Sequence, residues 1–273
     1  MKKVVSKLAY AFAGCILLLS SCLGDTENVT EVTGANVYIA SESGNKYGIL
    51  GVSPYYPMEH SKISELSQGD VILGASIRLN FEQIGKFGYA LEKFEYPEEG
   101  YVPKSKQIQP LLLADQIDTS AITSKTNILE GLSLSIVSQY ASWGDRWVAT
   151  IKYQTLEEEP LPEVSISYDK ERQRDLDGLP IREDERIIDL RIKRFPESGV
   201  AGTENSTIIN SVFNLSDLRT WVQMENSDID LVYIRLRYYN KTSLDSADGK
   251  YQIYLTNRNT NLALAYSSDE DQK

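Results

Sequence analysis

A nucleophile–histidine–acid triad in this chain would have to use His60, its one histidine. His60 stands in the polar stretch Met58-Glu59-His60-Ser61-Lys62, and no Gly-x-Ser-x-Gly elbow presents a serine. It reads as a surface residue whose removal changes stability by no more than about 0.5 kcal/mol. Common zinc and copper sites draw on several imidazoles or thiolates. One histidine and two cysteines, Cys15 and Cys22, do not supply such a set, so no metal and no cofactor is expected. Phosphate-binding and dinucleotide-binding glycine patterns are missing too. Carboxylates are plentiful, with 39 in all. Glu157-Glu158-Glu159 and Asp169…Asp175…Asp177-Gly178 lack the spacing of a calcium loop and read as solvated acidic loops. Glycoside hydrolysis needs two opposed carboxylates, and no pair is singled out by its position. The inventory points away from an enzyme.

The cysteine with chemistry is Cys22. A basic start (Lys2, Lys3, Lys7) precedes an apolar run from Leu8 to Leu19, too short to span a bilayer. The run ends in Leu19-Ser20-Ser21-Cys22, which resembles a bacterial lipobox. Residues 1–21 are thus read as a lipoprotein signal peptide, with Cys22 lipidated at the head of the mature chain. Cleavage removes Cys15, three lysines and no acid, leaving 252 residues with no free thiol and moving the formal net charge from -11 to -14. The localisation expected is the cell envelope, lipid-anchored, at the outer membrane. Asp25 and Glu27, just after Cys22, resemble the acidic surface-export signals of Bacteroidota lipoproteins. Asp245-Ser246-Ala247 resembles their short O-glycosylation motif, with Ser246 as acceptor.

So acidic a chain is ill suited to nucleic acid or anionic lipid, which need clustered Lys and Arg. The partners expected are the membrane, through the lipid, and a protein or glycan. Seventeen tyrosines and three tryptophans are a further clue. Tyr233, Arg235, Arg237 and Tyr239 alternate with Val232, Ile234, Leu236 and Tyr238, so they share one face of a strand. Exposed tyrosine and arginine are enriched at interaction surfaces, whereas a covered face would make the same pattern structural.

The elements that must carry these residues are mostly strands. Residues 22–34 are polar without apolar period and read as a flexible tether. Period-two alternation then dominates. Leu73, Ala75, Ile77, Leu79 and Phe81 make the clearest strand, after the turn Gln68-Gly69-Asp70. Weaker strands are expected near 46–53, 87–95 and 105–114. The polar stretch 115–126 suggests a boundary between a domain at 35–115 and another at 123–267. In the second, strands are expected around Leu132–Ile136 and Trp147–Tyr153, joined by a hairpin turn at Trp143-Gly144-Asp145. Others are expected at Val164–Tyr168 (an edge strand), Ile188–Ile192, Val232–Tyr239, Tyr251–Leu255 and Leu262–Tyr266, before an acidic tail at 268–273. One short helix is expected after Asn214 or Ser216 as N-cap, with Asp217 in the first turn and Leu215, Leu218 and Val222 as its apolar stripe, flanked by Trp221. The class is all-β.

Four features together resemble the NigD-like family of Bacteroidota lipoproteins. They are the lipobox Leu19–Cys22, the run from Gln68-Gly69-Asp70 into Leu79-Asn80-Phe81-Glu82, the strand start Asp145-Arg146-Trp147-Val148, and the late strand Asp230 to Arg237. The resemblance implies an N-terminal OB-like barrel followed by a C-terminal β-sandwich, and an association with bacteriocin-type operons. It transfers no site residue. A non-enzymatic binding or interaction module is the first expectation. An envelope hydrolase acting on a glycan through paired carboxylates is the alternative, and a bacteriocin-immunity-type protein is another.

Overall fold

The computed structural model describes residues 28–50, 57–112, 129–136, 145–156, 159–195, 205–226, 231–240, 252–255 and 263–265. Cys22, the predicted boundary at 115–126, Trp143-Gly144, Ser246 and the tail 268–273 lie outside them. The described residues are all-β with one ten-residue helix and a shorter helix of five residues. Its elements are β1 (Val29–Glu42), β2 (Asn45–Leu50), β3 (Pro57–Glu59), α1 (Ser61–Glu65), β4 (Val71–Ile84), β5 (Tyr89–Glu95) and β6 (Tyr101–Val102). They continue with β7 (Pro110–Leu112), β8 (Leu129–Ile136), β9 (Arg146–Thr155), β10 (Glu163–Tyr168), β11 (Glu185–Lys193) and β12 (Asn205–Asn214). The last are α2 (Ser216–Glu225), β13 (Leu231–Asn240), β14 (Gln252–Leu255) and β15 (Ala263–Ala265).

The first sheet runs β1-β2-β3-β5-β4-β6, and a second pairing of β1 with β4 closes it into a barrel. β3 and β5 are parallel, and α1 lies between β3 and β4 in the chain. That connectivity is the OB-like barrel expected. Its interior holds Val37, Ile39, Leu50, Met58, Ile63, Ile77, Leu79 and Phe94. Two departures from the sequence reading have local causes. β1 starts at Val29, inside the segment read as a tether, because Val29–Val32 pair with Asn80–Ile77 and Val32 packs on the barrel core. The even alternation from Leu73 to Phe81 breaks at Gly74, whose φ of +70° only glycine adopts readily. Ile72 and Ala75 therefore both point into the barrel, while Val71 and Leu73 face the other way.

Gly88 has a different reason to be glycine. A Cβ there would lie 2.0 Å from the Pro57 carbonyl oxygen, so the turn before β5 can approach β3 only without a side chain. Gly88→Ala is expected to destabilise the protein by about 2–3 kcal/mol, the cost of overpacking against backbone. Urea denaturation checks this, and an unchanged midpoint would contradict the close approach.

The larger sheet runs β12-β9-β8-β13-β11-β10-β7, with β14 and β15 also on β13. Its two ends meet. Ile108 N donates to Val212 O (2.8 Å) and Ile108 O accepts from Asn214 N (2.8 Å) on β12, and two residues later β7 pairs with β10. The predicted sandwich thus takes the form of one rolled sheet around a single core of Trp147, Ile151, Tyr168, Ile188, Leu190, Phe213, Ile234 and Leu236. Rolling is needed, since one ten-residue helix, about 15 Å long, cannot cover seven strands spanning roughly 30 Å. Residues 110–112, read with the first domain, belong to this sheet, and β10, read as an edge, lies between β11 and β7. β8 and β9 pair antiparallel, with Ile136 opposite Trp147. β12 escaped the sequence reading because its inner positions, Ile209, Ser211 and Phe213, alternate polar with apolar.

Leu215, Leu218 and Val222 of the helix region are fully buried, as their spacing implies. The N-cap position is Leu215, between the two residues expected there, and it makes no side-chain cap; Asn214 turns the chain just before it, with its Oδ1 accepting from Ser216 N (3.1 Å) and Ser216 Oγ (2.7 Å). Trp221 stacks on Tyr168 at 6.4 Å. The two sheets share a third apolar cluster, in which Tyr38, Ala40, Ile49 and Val71 of the barrel meet Val148 and Val212.

Candidate interaction surfaces

Each strand that pairs places every second side chain on one face. In β13, Val232, Ile234, Leu236 and Tyr238 enter the core, and Tyr233, Arg235, Arg237 and Tyr239 take the opposite face, half-buried. β11 pairs with β13 in parallel, opposing Asp189 to Arg237 and Glu185 to Tyr233. Partners in register face the same way, so β11 supplies acids to the row of arginines.

Arg237 forms a bidentate pair with Asp189, Nε to Oδ1 and Nη2 to Oδ2, both at 2.7 Å. Its Nη1 donates to Arg172 O (3.3 Å). Arg191 Nη2 adds a third contact to Asp189 Oδ1 (2.9 Å), and the Arg191 guanidinium lies 5.3 Å from the Tyr239 ring centre. Arg235 Nη1 is 3.6 Å from Glu185 Oε2. Asp189 is 1% exposed. Burial pushes its carboxyl up, but the hydrogen bonds and charges of Arg237 and Arg191 outweigh that and hold it below the usual carboxylate range. Asp189 in turn raises Arg237. The arginines that looked available for a partner are engaged with the neighbouring strand. Asp189 was legible only as one of the polar residues alternating along its strand.

Other buried acids are engaged in the same manner. Glu159 accepts from Arg194 Nε (2.9 Å) and from Arg194 Nη2, with both side chains almost fully buried. Asp145 pairs with Arg146 at 2.6 Å beside the shared cluster. Asp70 accepts from Ser67 N (2.8 Å), the Tyr101 hydroxyl (3.0 Å) and Lys104 N (3.1 Å). In the acidic loop, Asp175 Oδ1 accepts from the backbone N–H of Asp177 (3.0 Å) and Leu179 (2.8 Å), which makes it a turn residue. Among the described residues no three His, Cys, Asp or Glu side chains converge as a metal site. Among them, too, no helix is long and apolar enough to cross a membrane.

His60 is more than a bare surface residue. Lys62 N donates to its Nδ1 (3.2 Å), so the imidazole caps α1, and its ring lies 5.9 Å from that of Phe94 in the barrel core. Burial, then the charge of Lys62, lowers its pKa below the ordinary 6.5. Only the unprotonated Nδ1 can accept, so this contribution is complete above the ordinary pKa and is lost as pH falls through the folded value. His60→Ala is expected to cost about 1 kcal/mol at pH 8, typical of a lost cap, and less at pH 5. Thermal melts at the two pH values check this; equal melting of both variants at pH 8 would remove the capping role.

The barrel carries a second surface, which the sequence did not single out. Tyr47 of β2 stacks on Phe87, in the hairpin between β4 and β5, with ring centres 6.2 Å apart and planes 11° apart. The Lys86 ammonium lies 5.0 Å from the Phe87 ring centre. Phe87 N donates to Glu59 Oε1 on β3, which ties the hairpin tip to the barrel wall.

No protein-family model matches the chain, and no curated protein does. Among solved structures, an uncharacterized protein from Parabacteroides merdae is similar at 15% identity, over 82% of this chain and 96% of that one, with a TM-score of 0.54. The likeness is one of fold. A protein provisionally named a lipoprotein, from Bacteroides fragilis, covers 83% of this chain and 96% of its own at 9% identity, with a TM-score of 0.48. A protein of unknown function from Bacteroides vulgatus covers 89% and 94% at 14% identity, with a TM-score of 0.43.

Proposed function

We propose that this is a lipid-anchored envelope protein of the NigD-like kind, held at the outer membrane through Cys22, whose two β units form a non-catalytic binding platform. The observation that carries the reading is the engagement of the buried acids. Asp70, Asp145, Glu159, Glu185 and Asp189 each pair with an arginine or accept from backbone or tyrosine donors within the fold. A general acid needs a carboxyl in reach of substrate and a base opposite it. Glu185 and Asp189 tie β11 to β13, and the other three are used within turns and loops of the fold instead. The shared cluster of Tyr38, Ile49, Val71, Val148 and Val212 supports a platform by packing the barrel against the rolled sheet. Fold by itself assigns no ligand. The acidic net charge of -11 disfavours nucleic acid and leaves protein or glycan.

The test is incubation of the purified full chain with envelope extract. A specific component should be retained without being cleaved. New reducing ends or new peptides that accumulate in proportion to protein, and vanish on carboxylate substitution, would put the hydrolase reading in its place.

A further inference from the structure

We propose that β12 is the seam of a two-fold dimer, in which the open edge of one copy pairs antiparallel with the same edge of a second copy. The proposal goes beyond the platform reading and stands without it. β12 ends the larger sheet. Val212 O and Asn214 N turn to Ile108, away from β9. β12 pairs with β9 over Asn205–Asn214 without a bulge, so the alternation of an antiparallel strand carries back along the chain. The N–H and C=O groups of Ser206, Ile208 and Asn210 therefore also point off the sheet's edge. Among the described residues no strand takes them up. All three residues are exposed, Ile208 to 60%. Their side chains do not cap the edge. Asn210 Oδ1 accepts from Thr150 Oγ1 (2.9 Å) and Ser206 Oγ donates to Glu130 Oε2, so both lean back over β9 and β8.

An open edge is normally blunted by lysine, proline, a bulge or short length. β7, at the other end of the sheet, has three residues and begins with Pro110. β12 has ten residues, and its stretch Asn205–Ser211 contains none of these devices and no charge. The same features select a second copy as the occupant. The midpoint of the open stretch is Ile208. A two-fold axis there sets Ile208 against the partner's Ile208, Ser206 against the partner's Asn210 and Asn205 against the partner's Ser211. About six main-chain bonds form. The two Ile208 side chains cover each other, and no like charges are opposed, although the whole chain has a net charge of -11. The partner strand stops two positions short of Phe213, where Ile108 bridges, so the two do not compete. A seam this short buries less than the roughly 800 Å² per partner of a stable interface, which makes the dimer a weak one.

The full chain, purified in a density-matched detergent, is sedimented over a concentration series. Wild type should pass from monomer to dimer with a Kd of about 100 µM or tighter. Ile208→Lys, which opposes two ammonium groups on the axis, should weaken the dimer at least about tenfold, with the melting temperature unchanged. If Ile208→Lys does not fold, Ser206→Pro carries the same expectation, because it deletes an N–H that points off the edge and leaves the β9 ladder whole. Membranes from cells carrying the full chain are also oxidised with copper phenanthroline. Ile208→Cys should give a disulfide-linked homodimer, since residues paired in register stand about 5.5 Å apart at Cα. Lys152→Cys, exposed and opposite Ile208 one strand further in, should not. A monomer at every concentration overturns the proposal, as does a dimer that Ile208→Lys and Ser206→Pro both leave intact. Linking of Ile208→Cys to a different protein and not to a second copy, or equal linking through Lys152→Cys, overturns it too.

Discussion

Cys22→Ala is expected to abolish incorporation of a clickable palmitate analogue and to move the protein from the membrane fraction to the soluble fraction. The chain has two cysteines, and Cys15 lies within the apolar run Leu8–Leu19, ahead of the proposed cleavage site. Only Cys22 follows an aliphatic residue and two small ones. The apolar run itself does not substitute as an anchor, because Leu8–Leu19 falls well short of the roughly 20 residues a spanning helix needs. Lipid contributes about 0.8 kcal/mol per buried CH₂. One acyl chain holds a protein only marginally, and several on one residue hold it firmly. The transition should therefore be nearly complete. Equal labelling of mutant and wild type, or an unchanged membrane fraction, would end the lipoprotein reading.

Arg237→Ala is expected to destabilise the fold by about 3 kcal/mol, the largest effect of any single side chain considered. It removes both 2.7 Å contacts to a carboxylate that is 1% exposed and leaves that charge with Arg191 alone. Breaking one side of a buried pair costs more than the pair contributes, since the survivor stays desolvated. The pH dependence has a definite sign. Asp189 has its folded pKa held below the ordinary value, so its stabilisation is present above that value and is lost as pH falls through the folded one. Arg237→Ala should thus flatten the acid limb of the stability curve as well as lower its plateau. Replacing both partners, Asp189→Leu with Arg237→Met, should recover much of the loss. Urea melts from pH 3 to pH 8 on the single and double variants measure this. A plateau within about 0.5 kcal/mol of wild type would show the pair to be incidental.

Where the sequence read well, the cause was local. Val232–Tyr238 and Ile188–Ile192 alternate because neighbouring side chains of a strand must leave on opposite faces, whatever the strand pairs with. The helix stripe Leu215, Leu218 and Val222 follows from the turn of one helix in the same way. Gly74 shows the limit of such reading. Five evenly spaced apolar residues look like one buried face, yet a single positive φ splits them between two cores. β1 shows another, since Val29–Val32 become a strand through pairing with Asn80–Ile77, some 50 residues distant.

The sequence by itself determined the strand character of the chain, the parity of its best strands and the candidate lipid site, because each depends on neighbours within a few residues. Only the tertiary structure decided what each face meets. The row Tyr233, Arg235, Arg237 and Tyr239 is identifiable from spacing alone. That Asp189 lies opposite Arg237 depends on the register of β11 against β13, across 48 positions of chain. Tyr47 and Phe87 stack because β3 pairs with both β2 and β5, and Ile108 joins the two ends of the larger sheet through contacts with β12 more than 100 positions later. Pairing register between distant strands is set by the summed packing of a whole core. No short stretch of residues contains that sum.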